Sequence, residues 1–263
     1  MKVLSSWDAL LATPAPCDHL VQLYTSDEAL TSTVVRFIEH GLAEGEGVIA
    51  ITTAGHWTAI AERLAANGAD VAALNAKNQL IVRDAHDTLM SFMVDGMPDR
   101  TAMQTATKDA LDTARSAGFT TVRAFGEMVD ILNRRGNLAA AIRLEELWNE
   151  LLDAERIALL CAYAVDPFDR AEYKVTLPSI GHVHSHLMPV EDSDRLEHAI
   201  DRAFVDVFGI YGDTRLLREL FVRQLPDATA MPTSQAALFA LRNLDTRLAD
   251  AVLERAATHY RAA

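Results

Sequence analysis

Five short apolar runs, His19–Tyr24, Val48–Thr53, Gln79–Arg83, Thr120–Phe125 and Ile157–Tyr163, alternate with longer runs of helical periodicity, Ala29–Ala43, His56–Asn67, Asp99–Ala117 and Leu138–Leu152. This alternation leaves few arrangements open. Parallel strands need crossovers, helices supply them, and the strands such a sheet buries on both faces read as continuous apolar runs. The expectation is an α/β fold, a mostly parallel sheet flanked by helices. Gly45-Glu46-Gly47, Asn67-Gly68 and Ala117-Gly118 fall where those helices should stop.

Beyond Leu187 the strand signals fade, and the rest of the chain reads as helical: Asp194–Val207, Thr214–Gln224, Gln235–Leu241 with Thr233 or Ser234 as N-cap, and Asp245–Tyr260. The expected organisation is an α/β region over residues 17–187 and a small all-helical region over 190–263. Stripes such as Leu196, Ile200, Ala203 and Val207 must be buried against the first region, against one another, or against a second copy of the chain. Output to a partner or homodimerisation are the roles expected of this region.

Charge narrows the partners. The formal net charge is −13, and both regions are acidic, so neither offers the basic face that nucleic acid or an anionic membrane needs. The longest apolar run, Ile157–Val165, falls far short of the ~20 residues that span a bilayer. The N-terminal stretch MKVLSSWDALLATPAPC is broken by Ser, Asp and Thr, unlike the apolar core of a signal peptide. With only Cys17 and Cys161, no disulfide framework is expected, and the cytoplasm is the expected location.

The loop after the first strand is where a nucleotide-binding protein would carry its phosphate loop. Such a loop needs glycines, a Lys and a Ser or Thr. Here Thr25-Ser26-Asp27-Glu28 supplies no Gly and no Lys, and its two carboxylates would repel a phosphate. Ser26 or Asp27 is well placed as an N-cap. Since open α/β sheets bind ligands at the carboxyl ends of their strands, a different ligand at this end stays open.

Three features break the ordinary pattern. Glu127, after the apolar TVRAF and Gly126, stands at a strand's carboxyl end, either facing a helix dipole or serving a site. Glu145 falls inside the apolar arc of its helix, among Leu138, Ala141, Ile142, Trp148 and Leu152, and so needs a partner: an ion pair with Arg123 or Arg143, or a ligand. His182, His184 and His186 alternate and would share one side of an extended segment, a row able to ligate zinc, copper or haem iron or to serve as ordinary hydrogen-bonded histidines. The sequence holds no G-x-G-x-x-G, G-x-S-x-G, H-E-x-x-H or C-x-x-C, and no catalytic constellation emerges.

Asp18-His19, Tyr24, Glu28, the run from Phe37 to Glu46 (FIEHGLAEGE), Val122–Met128 (VRAFGEM), Leu144–Trp148 (LEELW), Leu160–Tyr163 (LCAY) and His184-Ser185-His186, in this order, resemble the MEDS family, the methanogen/methylotroph sensory domain typified by a dichloromethane-responsive repressor. The resemblance implies a RecA-like core used as a sensor, in proteins whose outputs are a kinase, an anti-sigma factor or a DNA-binding region. It implies His19, Tyr24, Glu28, Glu127, Glu145 and Tyr163 as ligand-binding residues. The chain departs from those partnerships in having neither a kinase domain nor a recognisable helix-turn-helix.

The leading expectation is therefore a non-catalytic cytoplasmic regulator that binds a small molecule or a regulatory protein at the carboxyl-end face of its sheet. The alternative is a metal- or haem-binding regulator using His182, His184 and His186. An enzyme with Glu127 as general base ranks third, and the sequence identifies no particular cofactor.

Overall fold

The apolar runs become strands and the periodic runs become helices in the computed structural model, which describes residues 4–188, 190, 192–209 and 233–262. The chain divides into two units, Met1–Ala164 and Val165–Ala263.

In the first unit the strands are β1 (His19–Tyr24), β2 (Gly47–Thr52), β3 (Leu80–Asp84), the short antiparallel pair β4 (Met93–Val94) and β5 (Met97–Pro98), β6 (Val122–Gly126) and β7 (Ala158–Ala164). The main sheet of this unit runs in the order β3-β2-β6-β7-β1, with every neighbour parallel. All residues of β1, β2 and β6 are buried, which explains why their sequences are apolar without alternation.

The helices are α1 (Leu4–Ala12), α2 (Asp27–Ala43), α3 (Ala54–Ala66), α4 (Val71–Ala76), α5 (Ala85–Met90), α6 (Arg100–Ser116), α7 (Met128–Arg134) and α8 (Leu138–Glu155). Side chains of Ser26, Asp70, Asp84, Asp99 and Asn137 accept from backbone N–H groups in the first turns of α2, α4, α5, α6 and α8. These short polar residues fix the starts of the helices by satisfying donors that have no partner inside the helix. Ser26 takes this role through Ala29 N, so the loop after β1 opens a helix.

Arg123 is the largest fully buried side chain among the described residues, and it anchors the amino-terminal side of the unit. It donates to Leu11 O at 3.1 Å, Phe37 O at 3.0 Å, Ala12 O at 3.1 Å and to the Glu46 carboxylate. The expected pairing of Glu145 with Arg123 or Arg143 is thereby corrected: Arg123 is committed to Glu46, and Arg143 pairs with Glu146 at 2.8 Å.

The second unit has a π-helical turn (Glu172–Thr176) running into α9 (Leu177–Val183), then β8 (His186–Met188), α10 (Ser193–Phe208), and helices Thr233–Leu244 and Thr246–Ala262. The apolar stripe of α10, with Leu196, Ala199, Ile200, Ala203 and Phe204 buried, packs on the last helix, where Ala249, Val252, Leu253, Ala256 and Ala257 are buried. The helix expected over Thr214–Gln224 lies outside the described residues. The extended row of histidines is corrected: Pro178 suits the first turn of α9, and the helix runs on through His182, so only His184 and His186 are in extended backbone or strand.

Candidate functional site

Two polar networks and a cavity in the first unit are candidate sites. At the carboxyl end of the sheet, β2 and β6 lie side by side with Ile51 opposite Gly126, so the residues that follow them meet. Glu127, 2% exposed, takes the Thr52 hydroxyl at 2.5 Å and the Thr53 N–H on Oε1, and pairs with His56 Nδ1 through Oε2. Thr53 stands at the N-cap position of α3, so the carboxylate sits at the positive end of that helix. His56 Nε2 reaches Asp27 at 3.4 Å. Burial works to raise the pKa of Glu127, but the hydrogen bonds from His56, Thr52 and Thr53 outweigh it and hold the carboxyl below its ordinary value. The Glu127 hydrogen bond in turn raises the pKa of His56.

Beside it, Tyr24 donates to Asp130 at 3.0 Å, and Asp130 also accepts from Arg134 Nε at 2.7 Å and from Ala164 N at 2.9 Å. Arg134 donates to the Tyr24 hydroxyl at 2.8 Å, and the Tyr24 and His56 rings meet edge-on at 6.5 Å. Burial, then Asp130, pushes the phenol above its ordinary range, so it stays protonated. Glu28 is exposed on α2 and pairs with Arg63 at 2.7 Å.

The second network lies between the sheet and α8. His19 Nε2 is 3.2 Å from Glu145 Oε2 and 3.4 Å from Cys161 Sγ, and Cys161 Sγ is 3.4 Å from the same carboxylate oxygen. Tyr163 donates to Glu145 Oε1 at 3.0 Å, and His19 Nδ1 is 2.7 Å from Asn149 Oδ1. Glu145 is wholly buried, as its place on the apolar arc requires. Burial, then the Glu145 charge, pushes Cys161 and Tyr163 well above their ordinary values. Neither cysteine forms a disulfide.

The expected ligand-binding residues thus fall in different places. Tyr24 and Glu127 are at the carboxyl end, Glu28 is at the surface of α2, and His19, Glu145 and Tyr163 form a separate buried group. His56, Asp130, Arg134, Cys161 and Asn149 complete these networks and were not singled out as site residues in the sequence. The one signal for Asp130 is its place three residues after Glu127 in GEMVDIL; nothing local marks His56. In the second unit, His182 is exposed on α9, His184 is buried with Nδ1 2.7 Å from Ile180 O, and His186 opens β8.

A cavity of about 260 Å³ lies over the other half of the sheet. Ile49 and Ile51 of β2, Ala124 of β6, Leu111 of α6, and Trp148 and Leu151 of α8 give it an apolar lining, and Arg83, Asp87, Thr88, Ser91 and Thr107 supply polar groups. Ile51 is common to cavity and network, because its carbonyl accepts the Glu127 N–H at 3.2 Å.

Compared with known families, residues 18–177 match the model of the MEDS domain, described as the MEthanogen/methylotroph, DcmR Sensory domain. No curated protein matches the chain.

Proposed function

Because the chain belongs to the MEDS sensory-domain family, we propose that it is a non-catalytic signal-transduction regulator whose first unit binds a small molecule on the sheet, beside the carboxyl ends of β2 and β3. The observation that carries this reading is the cavity, where a mostly apolar lining meets a few polar groups, the composition usual for ligand pockets. At about 260 Å³ it suits a small, largely apolar molecule with one polar group. The Ile51–Glu127 hydrogen bond ties the cavity wall to the carboxyl-end network, so occupancy can be felt at Tyr24, His56 and Glu127.

A non-catalytic role is supported by the state of Glu127. A carboxylate already bonded to Thr52, Thr53 and His56, with its pKa lowered, is a weak base and has little capacity left for a substrate. Ser26 as an N-cap argues likewise against a phosphate loop. The second unit is proposed to carry the output to a regulatory protein or to a second copy of the chain. Its acidic balance disfavours direct DNA contact. No helix among the described residues is long and apolar enough to cross a membrane, and the cytoplasm is the proposed location.

The test is native mass spectrometry of the freshly purified full chain, followed by calorimetry with the co-purified molecule on wild type and on a variant at Ala106, which also lines the cavity, Ala106→Trp filling it. Loss of binding in a folded variant is expected. Unchanged binding there, with loss on His56→Ala, would move the ligand to the carboxyl-end network. No bound or bindable small molecule would leave the protein-partner reading in its place.

A further inference from the structure

The group formed by His19, Glu145 and Cys161 has a geometry that hydrogen bonding alone does not require. One imidazole nitrogen, one carboxylate oxygen and one sulfur face one another at 3.2, 3.4 and 3.4 Å, on side chains that are 2%, 0% and 0% exposed. We propose that His19, Glu145 and Cys161 form a buried binding site for one divalent transition-metal ion of zinc type.

Three observations support it. The first is the spacing. With metal–nitrogen and metal–oxygen bonds of about 2.0–2.2 Å and a metal–sulfur bond of about 2.3 Å, the edges of a tetrahedron come to about 3.3–3.6 Å. The three separations, 3.2, 3.4 and 3.4 Å, match one face of such a tetrahedron to within about 0.2 Å.

The second is the set of groups behind the ligands. Asn149 Oδ1, at 2.7 Å, accepts the proton of His19 Nδ1 and leaves the Nε2 lone pair directed to Glu145 and Cys161. Tyr163 donates to Glu145 Oε1 at 3.0 Å and leaves Oε2 for the ion. Fixing the tautomer of a ligating histidine and the rotamer of a ligating carboxylate is how outer groups support a metal centre.

The third is charge. A thiolate, a carboxylate and a neutral imidazole sum to −2, which a divalent ion cancels, whereas the same anions buried without it would be costly. The donors also select the metal: thiolate with imidazole suits zinc, and calcium or magnesium take oxygen ligands instead. Binding releases the thiol proton of Cys161 to solvent, and the ion keeps its oxidation state. The remaining coordination position falls to water or another donor.

The proposed ligands include neither His182 nor His186, and the site does not depend on the cavity. The experiment is titration of the chelator-treated full chain with Co²⁺, read by absorption, beside metal analysis of the untreated protein. One equivalent of cobalt is expected to bind, with tetrahedral visible bands and a thiolate charge-transfer band in the near ultraviolet. Cys161→Ser should lose the charge-transfer band, and Asn149→Ala should weaken binding about 10–100-fold. Circular dichroism on each variant separates loss of the site from loss of the fold. The proposal is overturned if the folded wild-type chain shows no thiolate–cobalt band, or if the band survives Cys161→Ser. It is equally overturned if cobalt binding is lost on His182→Ala and His186→Ala but not on His19→Gln.

Discussion

Tyr163 donates its hydroxyl to Glu145 across 3.0 Å, and both side chains are fully buried. The contact joins β7 to α8 and stabilises a carboxylate inside the unit. Tyr163→Phe removes the donor and keeps the ring. A cost of about 1–3 kcal/mol in unfolding free energy is expected, as for a buried charged acceptor that loses a partner. Urea denaturation measures it, and an unchanged midpoint would show that Tyr163 is not needed to satisfy Glu145.

Glu127 and His56 set a pH dependence. The pKa of His56 is raised from 6.5, so its contribution to stability is complete below pH 6.5 and fades as pH rises through the folded value. The pKa of Glu127 is lowered from 4.5, so its contribution is present above pH 4.5 and lost as pH falls through its folded value. The pair should stabilise most between these limits. Thermal unfolding of wild type and His56→Gln from pH 5 to about 9 tests this: the gap between them should narrow above pH 6.5, and a constant gap would remove His56 from the linkage.

Arg123 holds the end of α1 through the carbonyls of Leu11 and Ala12. Arg123→Met should cost about 3–5 kcal/mol, because it leaves Glu46 and several carbonyls without their cation. Hydrogen exchange should accelerate in Leu4–Ala12 before other helices. Gly41→Ala should act in the same direction, since a Cβ there would lie 2.6 Å from Arg123 Nε. Uniform exchange across the unit in both variants would contradict the anchoring role.

Ser26 begins α2 and is not expected to serve a phosphate. Ser26→Ala should lower stability by about 0.5–2 kcal/mol through loss of the cap. Calorimetry with Mg-ATP should give no binding heat for wild type. Micromolar binding that disappears in this variant would reverse the assignment.

The sequence by itself determined the elements and the burial of single side chains, because both are local. Continuous apolar runs marked β1, β2, β6 and β7, the three-to-four-residue period marked the long helices, and Glu145 was visibly on the wrong side of its own helix. The short helices α4, α5 and α7 escaped, since six or seven residues hold too few turns to establish a period. His182 read as extended with His184 and His186 because alternation over five residues is also compatible with a helix end.

What only the tertiary structure decided is who meets whom. Glu145 needed a partner, an arginine or a ligand by its sequence, and it meets His19, Cys161 and Tyr163, because β1 lies beside β7 in parallel register, with Val21 opposite Cys161. Glu127 met Thr52 and His56 because β6 lies beside β2. Periodicity assigns a side chain to a face of its own element. Strand order assigns that face its neighbours, and it is set by the summed burial of the whole sheet, which no short stretch of sequence contains.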